Sequence, residues 1–136
     1  MGEPVDADWA RSAAMLHDIA KGRPRHAEAG AAMVAAFGFP DLSDAIARHA
    51  DLRGGGRIDE AAVVYLADKL VQGEARVSLE ARFAPALTRF AGDRHAFAAA
   101  SRRYAEAKAI EDAIEARIGR FVPPASVSQQ PLLGAA

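Results

Sequence analysis

The chain has 136 residues, 51% of them hydrophobic, with 17 basic and 18 acidic side chains and no cysteine, a length that suits one domain with its own core. A net charge of −1 offers no cationic field to nucleic acid or an anionic membrane, and the lack of Cys removes disulfide frameworks, thiolate zinc sites and Cys nucleophiles. No apolar run approaches the roughly 20 residues of a membrane span and no signal-peptide pattern opens the chain, so the expected compartment is the cytoplasm.

Asp6 or Asp8 is placed to cap a first helix running through Ala20, with Gly22 just beyond it. Pro24 suits the first turn of a second helix, which Gly38 closes after Phe37. Asp41 is the expected cap of a third, Leu42 to Ala50, and Arg53-Gly54-Gly55-Gly56-Arg57 reads as a flexible loop. Asp59 opens a fourth helix, Glu60 to Gln72, ended by Gly73. Ser78 with Glu80 begins a fifth segment, in which Pro85 predicts a break. Asp93 caps a long helix to Ile118. After Phe121 the composition turns to Pro, Ser, Gln and Gly, which predicts a domain over 1–120 and a disordered tail over 121–136. No segment alternates as an amphipathic strand does, so the expected class is all-α. The 34 alanines support closely packed helices, because alanine favours helix and adds little buried area.

Polar side chains interrupt the apolar faces of these helices. Ala10, Ala13, Ala14 and His17 share a stripe at helical spacing, and Asp18 follows. His26 lies with Gly30, Met33 and Phe37; His49 with Leu42, Ala45 and Ile46; Asp68 with Ala61, Val64, Tyr65 and Val71. An ionised carboxylate among Val and Tyr is costly unless it is paired or binds a metal. Taken singly, each His reads as a satisfied core histidine and Asp68 as the partner of a buried Arg. Taken together, three His and two Asp facing inward from four successive helices can converge on one point. Imidazole with carboxylate and no thiolate suits Mn, Fe, Co, Ni or Zn, with Mg also admissible. His95, beside Asp93 and Arg94, reads as a surface residue.

The run His17-Asp18-Ile19-Ala20-Lys21 resembles the signature of the HD-domain metal-dependent phosphohydrolases. His26, His49 in Ala45-Ile46-Ala47-Arg48-His49-Ala50-Asp51, and Asp68 in Leu66-Ala67-Asp68-Lys69-Leu70 extend the resemblance over residues 9–72. The stretch Arg76-Val77-Ser78-Leu79-Glu80-Ala81-Arg82-Phe83 is similar to HD domains attached to nucleotidyltransferases of the molybdenum-cofactor cytidylyltransferase type. The resemblance implies an all-α, HD-like bundle with the HD pair at a helix end. It implies His17, Asp18 and Asp68 as core ligands of a divalent metal, Asp18 able to bridge two ions, and His26 and His49 as the further ligands of two-metal members. Asp18 and Lys21 are then the catalytic residues, and Lys21, Arg23 and Arg25 a phosphate-binding set. Lys69 reads as structural, paired to a neighbouring carboxylate.

The family pattern starts with a further His one helix upstream, and no His precedes His17. The expectation is therefore an HD-type domain without the family's first helix. Two functions follow from it. One is hydrolysis of a nucleotide or another small phosphoester by metal-activated water. The other is a degenerate HD domain serving as a regulatory or interaction module, as a homodimer or with a fused or partner nucleotidyltransferase. Nucleic acid and membrane are disfavoured as partners by the charge balance. The loop Arg53–Arg57 is the expected shaper of substrate choice.

Overall fold

The computed structural model describes residues 4–54 and 56–119; the expected tail at 121–136 lies outside them. The all-α expectation holds, with one small addition. Helices α1 (Ala7–Leu16), α2 (His26–Ala36), α3 (Ser43–Arg48) and α4 (Glu60–Lys69) form the first part of the bundle. A two-stranded hairpin, β1 (Val71–Gln72) and β2 (Ala75–Arg76), leads to α5 (Leu79–Arg89) and the long α6 (Arg94–Ile118). Helix α2 packs on α3, α1 and α3 on α4, and α6 on both α5 and α4. Among the described residues no helix is long and apolar enough to cross a membrane.

Four of the expected caps form. The carboxylates of Asp6, Asp59 and Asp93 and the Ser78 hydroxyl accept the first free backbone N–H groups of α1, α4, α6 and α5. Asp41 does not cap: it sits inside a 3-10 turn, Pro40–Leu42, that leads into α3. Three other expectations fail for backbone reasons. Helix α1 stops at Leu16 rather than Ala20, because the chain tightens into successive i→i+3 turns, with Ile19 N–H on the Leu16 carbonyl and Lys21 N–H on that of Asp18. Pro24 stands two residues ahead of α2, whose entry residue Arg25 is held at φ 51; for a non-glycine residue this costs about 1–2 kcal/mol. Helix α5 runs straight through the exposed Pro85, where water can take the carbonyl that proline leaves unbonded.

The hairpin replaces the last turn predicted for α4. Val71 pairs with Arg76 and Gln72 with Ala75, around a two-residue turn that begins with Gly73 at φ 62. A glycine first in such a turn suits type II′, a signal that also reads as a helix stop. Val71 is consequently half exposed rather than on the core face of α4. Similarly, α2 turns Ala27, Gly30, Ala31 and Val34 inward and leaves Phe37 66% exposed, so His26 lies at the margin of the buried face.

Ile46, Val34, Val64, Tyr65, Leu79 and Ile110 fill the centre. Ala13, Ala45, Ala62, Ala100 and Ala107 have no exposed surface and allow the helix axes to approach. Tyr65 donates its hydroxyl to the Arg103 carbonyl at 2.9 Å, which ties α4 to α6. Gly30 serves the same closeness: a Cβ there would stand 3.2 Å from Ile46 Cγ2 and 3.3 Å from Ile19 Cγ2. A Gly30→Val variant should lose about 1–3 kcal/mol of stability through overpacking, read as a lower urea midpoint with unchanged slope.

Candidate metal centre

His17 and Asp18 occupy the tight turn after α1, His26 the first position of α2, His49 the position after α3, and Asp68 the last turn of α4. The structure brings all five together. His17 Nε2 lies 3.3 Å from Asp68 Oδ1 and 3.7 Å from Asp18 Oδ2. Asp18 Oδ1 faces His49 Nε2 at 3.7 Å and His26 Nε2 at 3.8 Å, and those two nitrogens are 3.2 Å apart. The rings of His17 and His49 meet edge-on, centroids 4.8 Å apart.

Helix ends aim the imidazoles. His17 Nδ1 donates to the Ala14 carbonyl and His49 Nδ1 to the Ile46 carbonyl, each at 2.6 Å and three residues back. With Nδ1 engaged, the neutral form of each ring presents an Nε2 lone pair to the cluster, the arrangement in which histidine ligates metal. Donor atoms of His17, Asp18 and His49 all lie within 4.8 Å of one another. Metal–ligand bonds of about 2.0–2.2 Å make the 3.7 Å separations from Asp18 ones that a single cation spans. Asp68 adjoins this trio through His17, and His26 adjoins it through Asp18 and His49. The residues present therefore fit a divalent metal on donor chemistry and on spacing.

The charges are distributed in pairs. Lys69, only 7% exposed, donates to Asp68 Oδ2 at 2.5 Å and to the His49 carbonyl at 3.0 Å, with its ammonium over the Tyr65 ring. The structural reading of this lysine is thus met. Burial pushes the Asp68 carboxyl up, but His17 and Lys69 outweigh it and hold the group far below the usual carboxylate range. Asp68 in turn raises the pKa of His17, against the desolvation of the ring. Burial lowers that of His49. Lys21 pairs with Asp18 at 2.8 Å while 78% of its side chain remains exposed. Arg23 and Arg25 sit on the open turn before α2, Arg25 facing Glu28 at 3.9 Å.

Two clefts flank the cluster. The larger, about 460 Å³, is lined by the charged or polar His17, Asp18, Asp68, Lys21 and Arg82, by the apolar Ala14, Val64, Ala67 and Val71, and by Gln72 and Gly73 of the hairpin. The smaller, about 310 Å³, reaches His26, His49 and Lys69 and again includes Arg82. Neither Arg23 nor Arg25 lines either one. The described residues of the loop expected to shape the site do not line them: Arg53 borders a separate concavity with Arg102 and Glu106, and Gly56 and Arg57 another. The hairpin and α5 take its place. Arg82 was missed by sequence reasoning, although it stands three residues after the buried Leu79, on the inward half of its helix.

A family model described as HD domain matches residues 1–72, which include all five clustered residues. The chain belongs to the HD-domain family. HD domains form a superfamily of metal-dependent phosphohydrolases and typically bind divalent metals, in keeping with the His17, Asp18 and His49 group. No curated protein and no solved structure matches the chain.

Two predictions follow from the charge pairing in this HD domain. His17 holds its proton more tightly than a free imidazole, and a metal must displace that proton. Mn²⁺ affinity should therefore be weak at and below the ordinary imidazole pKa of about 6.5 and rise as the pH is taken well above it; calorimetric titration at several pH values reads this, and a flat profile contradicts it. A Lys69→Met variant leaves Asp68 buried without its cation and the His49 carbonyl without its donor. It should lose about 3 kcal/mol of stability in chelator-treated protein, measured by urea unfolding.

Proposed function

We propose that this HD domain is a metal-dependent phosphohydrolase acting on a nucleotide or another small phosphoester. The observation that carries the reading is the convergence of His17, Asp18, His26, His49 and Asp68, with two Nδ1–H bonds, one part-buried and one buried, aiming His17 and His49 inward. His17, Asp18 and His49 would hold a divalent cation, with Asp68 beside His17 and His26 on the far side of Asp18. The two oxygens of Asp18 point to different partners, Oδ2 to His17 and Oδ1 to His26 and His49, which suits this carboxylate to bridging two ions. A bound cation supplies acidity to a coordinated water and neutralises charge that builds on phosphoryl oxygens.

The chain's own residues do the rest. The Ala14 and Ile46 carbonyls fix the tautomers of His17 and His49. Lys69 keeps Asp68 ionised and oriented toward His17. Lys21, largely exposed and tied to Asp18, lines both clefts and would offer its ammonium to a phosphate oxygen there. Arg23 and Arg25 add positive charge at the adjoining turn, a weak and salt-sensitive attraction for an anionic substrate.

His17→Ala and Asp68→Ala should each abolish Mn²⁺ uptake and hydrolysis of p-nitrophenyl phosphate or nucleoside monophosphates, with helical circular dichroism retained. Chelation of the wild-type metal should do the same, and adding it back should restore the rate. A folded wild-type protein that takes up none of Mn, Fe, Co, Ni, Zn or Mg on titration would leave the alternative, an HD domain that regulates or binds partners without hydrolysis.

A further inference from the structure

Three cations border the cluster, and two of them have carboxylates. Lys21 is paired with Asp18 and Lys69 with Asp68. Arg82 has no ion pair among the described residues, and its Nε is buried without a hydrogen-bond partner. A guanidinium with no carboxylate partner and an unmet Nε is uncommon in a folded protein, and its charge is left uncompensated beside the clefts that it lines. Its place is equally specific. Arg82 lines both clefts that flank the cluster, and its charge opposes those of Lys21 and Lys69. Two carboxylates therefore face three cations before any metal arrives, a surplus of positive charge that favours an anion.

The chemistry of the anion follows from the donor and from the cleft. A planar guanidinium fork matches two oxygens of a phosphate or carboxylate, whereas an ammonium acts as a point charge. Ala14, Val64, Ala67 and Val71 also line the larger cleft and give it an apolar wall, which suits a ligand with an organic body next to its charged head. Resting on the phosphohydrolase reading above, we propose that Arg82 binds the phosphoryl oxygens of a phosphomonoester substrate, with Lys21 as the second contact and the organic group against that wall. Arg82 comes from α5, beyond the residues the HD family model matches, and the hairpin after α4 delivers it to the site.

The test is calorimetric titration of the full chain with inorganic phosphate and with phenylphosphonate, metal-free and Mn²⁺-loaded, alongside Mn²⁺ uptake. Arg82→Ala should weaken both anions about tenfold or more, and Arg82→Lys should recover part of the loss by keeping the charge without the fork. Mn²⁺ uptake and the thermal midpoint should be unchanged in both variants. Wild-type protein should bind phenylphosphonate more tightly than phosphate; equal affinities overturn the apolar-wall assignment. Undiminished phosphate binding by Arg82→Ala overturns the anchor while leaving the phosphohydrolase reading intact, and loss of fold or of Mn²⁺ uptake in both variants overturns it in favour of a structural role. A wild-type chain that takes up no metal yet binds phosphate through Arg82 supports the anion site and removes the hydrolase reading.

Discussion

The buried pair between Lys69 and Asp68 is the contact on which the site depends. Lys69 has three partners: the Asp68 carboxylate and the Tyr65 ring on its own helix, the latter with a hydroxyl that reaches α6, and the His49 carbonyl at the end of α3. Withdrawing an ammonium from water is expensive, and burial does lower its pKa. Only close contact with a carboxylate and a further acceptor offsets that penalty. The carboxylate gains in return. Asp68 stays ionised next to His17 instead of taking up a proton in apolar surroundings, so a ligand-grade anion is available among Val64, Tyr65 and Leu66.

The helix ends make the cluster possible. A side chain at the middle of a helix is confined to its face, whereas one just past the last turn can reach inward while its ring nitrogen satisfies a carbonyl that the helix leaves open. His17 and His49 both use this device, each on the carbonyl three residues back. The tightened turn after α1 also lets Asp18 reach the same centre as its neighbour His17, which adjacent positions on a regular helix do not allow. Alanines with no exposed surface, among them Ala13 and Ala45, then let α1 and α3 approach closely enough for the two imidazoles to touch.

Legibility in the sequence tracked the strength of the local rule. The stripes ending in His17 and His49 were readable, because Ala10, Ala13, Ala45 and Ile46 repeat at helical spacing and are in fact buried. Asp68 was readable as an anomaly, since an anion on a Val and Tyr face demands an explanation. The stripe that groups His26 with Phe37 is not the buried one, since Phe37 is exposed; α2 is alanine-rich on several sides, and its periodicity does not single out one face. The break expected at Pro85 and the cap expected at Asp41 do not form, because a proline on a solvent-facing side and a 3-10 entry follow the path of the chain rather than residue preference.

The sequence by itself determined the class of fold, most helix starts, and the set of imidazoles and carboxylates, because capping, periodicity and the cost of a buried charge act over a few residues. Its HD-type order of residues also pointed to the family that the match over residues 1–72 establishes. Only the tertiary structure decided which cations attend the cluster and which surfaces form its clefts. Arg82 and Arg23 look alike in sequence, both exposed arginines near turns by composition. One is carried to the site by a four-residue hairpin register and the packing of α5 on α6, and the other is left in solvent. That choice depends on how distant helices dock, and no local pattern encodes it.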